Sequence, residues 1–141
     1  TGNLSLTGNC NFILSGDATV TIYLGQNATF SIANSAKMNL NGKPSHLAIY
    51  SASTNQINIT GTGDADIYGV LYAPTATVNV ENSAKFHGGI IANNINLTGD
   101  VRVYYDVALQ DEDVLGDPGS SGTGTLTIKR WTKPNWVNRL Q

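Results

Sequence analysis

The chain has 141 residues, a formal net charge of −2 and only 13% charged residues, roughly half the usual share. Its length fits one domain, and its near-neutral charge excludes strong global attraction to nucleic acid or anionic membranes. Asn, Thr, Ser and Gly stand where charges usually would, a composition typical of exported surface proteins with many turns.

Cys10 is the single cysteine, so no internal disulfide is available. It alternates with Leu6, Phe12 and Leu14, which predicts a small buried side chain. Ala18, Val20, Ile22 and Leu24 then alternate with Thr19, Thr21 and Tyr23, the period-two pattern of a strand. The pattern recurs at Ala36-Met38-Leu40, Ile57-Ile59, Ala76-Val78-Val80, Ile95-Leu97 and Val101-Val103. Turn formers separate these runs: residues 16–17, 25–27, 61–64 and 99–100 supply the Gly, Asn and Asp that sharp corners require. No sustained 3.6-residue apolar stripe appears, so no substantial helix is expected, and no run approaches the ~20 apolar residues of a transmembrane helix. The chain begins abruptly at Thr1 within patterned sequence and shows no signal peptide, which suggests a piece of a longer protein.

The strands repeat. Ala65, Ile67, Gly69, Leu71 and Ala73 recur nineteen residues later as Ala84, Phe86, Gly88, Ile90 and Ala92. TFSIANSAKM (29–38) echoes TVNVENSAKF (77–86) at a spacing of forty-eight. Hairpin architectures need no such identity, whereas stacked parallel strands place equivalent positions over one another. The expected fold is all-β: a parallel β-helix (β-solenoid), taken as right-handed, of about five or six coils with a C-terminal capping tail. With a two-residue deletion before the last coil, Ile67, Phe86 and Val103 form an interior ladder. Tyr68, His87 and Tyr104 form the outward ladder beside it, and Asp66, Lys85 and Arg102 a row of opposite charges.

Three segments follow: residues 1–110 as the solenoid, 111–124 as an acidic then Gly/Ser-rich linker, and 125–141 as a basic, Trp-containing strand or cap. Five of ten carboxylates, Asp106, Asp111, Glu112, Asp113 and Asp117, lie within twelve residues. Hard oxygen ligands on a Gly-containing loop suit Ca²⁺, with Asp111, Glu112, Asp113 and Asp117 as the ligands. The spacing of an EF-hand is missing, so a solvated loop is preferred and no cofactor is expected, with Asp106 capping a turn at 107–110. Lys129, Arg130, Lys133 and Arg139, half of the basic residues, are interleaved with Trp131 and Trp136. Cations beside aromatic faces suit single-stranded nucleic acid or an anionic glycan. The competing reading makes 125–128 a returning strand and the tryptophans an end cap, since an unpaired terminal coil invites association.

Catalysis is not expected. Outward acids within the coils (Asp17, Asp64, Asp66, Glu81 and Asp100) mostly sit at corners, and His46 and His87 are far apart, with no nucleophile–base set. Sequons at Asn3, Asn27, Asn58 and Asn96 are of the number that chance supplies in so Asn- and Thr-rich a chain. Tyr23, Tyr68, His87 and Tyr104 are read either as an adhesive, carbohydrate-binding strip or as a stabilising ladder. An ice-binding array of outward threonines (Thr19-Thr21, Thr29-Ser31, Thr77-Asn79) looks interrupted by Lys37, Asp66 and Lys85.

The elements VTIYL (20–24), GKPSHLAIYS (42–51), ADIYGVLYAP (65–74), AKFHGGIIA (84–92), INLTG (95–99) and VYYDVAL (103–109) carry a resemblance over nearly two thirds of the chain. Together they resemble the solenoid C-terminal region of PilX-type pilus-assembly proteins, the minor-pilin-like components of bacterial type IV pili. The resemblance implies an extracellular, cell-surface module without the family's N-terminal shaft helix. Its partners would be other pilus subunits, without membrane contact by this fragment, and its role assembly, adhesion or display. It transfers no catalytic residue. The alternatives are a DNA-binding module of a DNA-uptake pilus and an ice- or glycan-binding solenoid.

Overall fold

The computed structural model describes residues 2–110. Ten strands run in chain order: β1 (Leu4–Leu6), β2 (Asn11–Phe12), β3 (Val20–Leu24), β4 (Phe30–Ala33), β5 (Lys37–Met38), β6 (Leu47–Ser51), β7 (Ile57–Gly61), β8 (Asp66–Asn82), β9 (Lys85–Gly99) and β10 (Arg102–Tyr104). Every pairing among them is parallel, in one large sheet. The described residues contain no α-helix; short 3-10 turns occupy Pro44–His46 and Val107–Gln110. The second is capped as expected, with the Ala108 amide donating to Asp106 Oδ1 at 3.0 Å. No helix here is long and apolar enough to cross a membrane.

Three ladders share the strands. In the first, β1, β4 and β7 lead to the C-terminal parts of β8 and β9, so that Leu4, Phe30, Ile57, Val78 and Ile95 stand in register. In the second, β2 and β5 lead to the N-terminal parts of β8 and β9 and then to β10. In the third, β3 and β6 lead to the middle of β8 and β9. The chain visits the ladders in that order on each pass, and β8 and β9 each cross all three without a break.

The nineteen-residue echo is therefore one pass from β8 to β9. Ile67 pairs with Phe86 and Phe86 with Val103, as the repeat predicts. The expected two-residue deletion falls at a corner: Pro74, Thr75 and Ala76 of β8 face only Asn93 of β9, between the pairs Ala73–Ala92 and Thr77–Asn94. The forty-eight-residue echo spans two passes and repeats a corner. Asn34 and Asn82 adopt left-handed φ of 64° and 63°, a conformation Asn tolerates better than most residues. Ala36 and Ala84 then donate their amides to Ala33 and Glu81 carbonyls, both at 3.4 Å. On the pass between, the Gly61-Thr62-Gly63 segment takes that corner, and Ser83 Oγ lies 2.7 Å from both the Gly61 and Gly63 carbonyl oxygens, with one proton to donate to either.

Alternation sends one set of side chains into a single buried cluster shared by the three ladders. Phe30, Ile32, Ile49, Ile59, Ile67 and Phe86 are essentially sealed from solvent there. The last rung differs: Ile95, Leu97 and Val103 remain 44%, 54% and 44% exposed, because no described strand lies beyond them. Val103 thus keeps the predicted register without the predicted burial. Cys10 corrects its expectation outright. It is exposed and donates its thiol to the Thr7 carbonyl at 2.8 Å, since it sits in the turn before β2 rather than within a strand.

Candidate functional surface

Each ladder carries a distinct outward row. On the second, the register Tyr68–His87–Tyr104 stacks three rings, with centroids 4.0 and 4.6 Å apart and planes within 4° and 14°. This row matches the sequence expectation. Below it Asp66, Lys85 and Arg102 are in register, but the expected pairing among them is replaced by others. Lys85 bonds Asp64 at 2.6 Å, with Lys37 on the same carboxylate at 3.4 Å, and Arg102 pairs with Asp100 at 3.3 Å. The corner residue Asp64 lies nearer the lysine heads than the strand residue Asp66 does.

Asp66 turns instead to the imidazole: Oδ1 lies 3.0 Å from His87 Nε2, and neither atom has an aligned hydrogen-bond partner. Burial pushes the Asp66 carboxyl above its ordinary value, against the pull of His87. Two residues away, the hydrogen bond from Lys85 holds the Asp64 carboxyl below its ordinary value. Burial also raises the Tyr68 phenol, with Asp66 adding to the effect.

Tyr23 belongs elsewhere. It lies on the third ladder in register with Tyr50, and Tyr50 with Tyr72, at ring separations of 5.2 and 5.8 Å. The single strip drawn from Tyr23, Tyr68, His87 and Tyr104 is therefore two rows. In the Tyr68–His87–Tyr104 row the rings cover each other's faces and turn their edges outward, whereas in the other row Tyr23 stacks on Tyr50 and Tyr72 is tilted by 59°. Ring pairs in register across neighbouring strands stabilise a sheet by roughly 0.2–1 kcal/mol per pair.

The first ladder carries a row of which sequence reading placed only Ser31 and Asn79 in an outward array: Ser5, Ser31, Asn58, Asn79 and Asn96. Ser31 Oγ donates to Ser5 Oγ at 2.9 Å, Asn79 Nδ2 to Asn58 Oδ1 at 2.8 Å, and Asn96 Nδ2 to Asn79 Oδ1 at 2.9 Å. The signal was available, since each residue lies between two inward apolar ones, but its spacing drifts from pass to pass. The structure also moves the supposed interruptions of a polar array. Lys37, Asp66 and Lys85 all lie on the second ladder, away from this face.

No group of three or more His, Cys, Asp or Glu able to hold a metal occurs among the described residues. The proposed calcium ligands Asp111, Glu112, Asp113 and Asp117 lie outside those residues. So do Lys129, Arg130, Trp131, Lys133, Trp136 and Arg139, together with the linker and cap.

No curated protein and no solved structure matches the chain. A family model described as "Domain of unknown function (DUF7305)" matches residues 1–112. The chain belongs to that domain family.

Proposed function

We propose that residues 2–110 wind as a parallel β-helix, a β-solenoid, and serve as the exposed, non-enzymatic module of a type IV pilus-associated surface protein. The observation that carries the solenoid reading is the fixed order in which the chain returns to three parallel ladders around one core. Each ladder holds at most five rungs, the lower end of the expected coil number. The pilus assignment draws on the resemblance of the YLG, GKPS, IYG and YYD elements to PilX-type proteins. Assembly, adhesion or display then follows from a stiff body whose outward rows meet other subunits or a surface.

Labelling tests the assignment: an antibody raised against this chain is applied to cells that make the whole protein and to their sheared pili. Signal on the pilus fraction is expected. Signal confined to the cell interior would contradict it.

A further inference from the structure

The first ladder presents an uncharged polar row whose hydrogen-bonding capacity its own cross-strand bonds do not use up. Its central row is Ser5, Ser31, Asn58, Asn79 and Asn96, spanning about 19 Å at the usual strand spacing. On one side Thr77 pairs with Asn94, and on the other Ala33, Thr60, Glu81 and Thr98 stand in register. Glu81 is the one ionisable group on these rows; on the neighbouring ladder Lys37 and Lys85 pair with the corner residue Asp64, and Asp66 faces His87.

We propose that this face binds a neutral polysaccharide, its hydroxyls lying across the amide row. Three features support that ligand class. The amides are preorganised: the bonds linking Asn96, Asn79 and Asn58 fix their side chains before any ligand arrives, which lowers the entropic cost of binding. They are not saturated, because each amide has two donors and two lone pairs. Asn58 accepts a bond from Asn79 and donates none, leaving both its N–H groups free within the described structure. Asn96 donates one N–H to Asn79 and keeps its carbonyl oxygen free. Finally, a row without charge offers nothing to a phosphate or uronate, but matches adjacent hydroxyls that both donate and accept.

The proposal rests on the solenoid reading and names a ligand for its display surface. Its test uses the full chain, with microcrystalline cellulose and chitin beads as probes, comparing wild type with Asn79→Lys, Asn96→Lys and Tyr23→Ala. Wild type and Tyr23→Ala are expected to be retained on at least one polymer. The two lysine variants should be retained about tenfold less while melting curves show them still folded at the assay temperature. Asn96 lies on the exposed last rung, so its variant carries the test if Asn79→Lys unfolds. Equal retention of the lysine variants, or no retention of wild type on either polymer, overturns the proposal. So does freezing-point depression by wild type without retention, which would make ice the ligand. Antibody labelling of pili is read separately, so loss of polymer binding leaves the pilus assignment standing.

Discussion

Gly88 is held at φ 134°, and a Cβ there would collide with the Gly69 carbonyl oxygen. Gly88→Ala is therefore expected to lose more than ~2 kcal/mol in denaturant unfolding, from strain plus backbone collision. Its neighbour supplies the control: a Cβ on Gly89 meets nothing nearer than Leu109 Cδ1 at 3.9 Å, so Gly89→Ala should stay within about 0.5 kcal/mol. Equal losses for the two would contradict the stacking of Gly69 on Gly88. Also at this scale, Asp64 and Asp66 should titrate on opposite sides of their ordinary value of 3.8, read by carboxyl-carbon NMR. Asp64, depressed by Lys85, contributes stability that is present above that value and lost as pH falls through its lower folded one. Asp66, raised by burial, has the reverse sign: its contribution is full below 3.8 and lost as pH rises through the higher folded value. The same order of titration in the unfolded chain would remove the effect. The neighbourhood of these carboxylates was legible in the sequence. Their partners were not: Asp64 is placed by corner geometry, which strand register does not encode, and Asp66 meets His87, diagonal to it on β9, rather than Lys85 directly opposite.

Corners and rungs divide the work at the scale of the element. Asn82 opens its corner at φ 63°, so Asn82→Ala should cost about 1 kcal/mol while Asn82→Gly should cost little. If alanine were tolerated as well as glycine, the left-handed corner would be wrong. Along the ladder from Ile67 to Phe86 to Val103, burial falls from complete to partial at the final rung. Phe86→Ala is expected to cost about 3–5 kcal/mol, and Val103→Ala less than about 1 kcal/mol, by thermal or denaturant unfolding. Register was readable here because identical residues recur at one spacing, and the seventeen-residue last pass followed once a deletion was allowed. The asparagine row was not, since passes of unequal length hide a column whose members change from Ser to Asn. Cys10 misled for a related reason: alternation continues into a turn where the backbone no longer alternates.

For the whole molecule, the proposed solenoid gains its stability from neighbours along one axis, so its protection should be graded. Backbone amides of Ile32, Ile59 and Val80 should exchange slowest, and those of Leu4 and Leu97, on the end rungs, fastest. Parallel pairing throughout, with no hairpin among the described strands, is what the repeats imply. The outward chemistry depends on how the passes stack, which divides the supposed aromatic strip into two rows and places Lys37, Asp66 and Lys85 on a different ladder from the polar face. The most direct measurement is a methyl and amide NOE map of the intact chain. Successive contacts from Ile32 to Ile59, Ile59 to Val80 and Val80 to Leu97 are predicted, with Ile67 meeting Phe86. An antiparallel pattern, in which Ile67 met Leu97 across a hairpin between β8 and β9, would contradict the account.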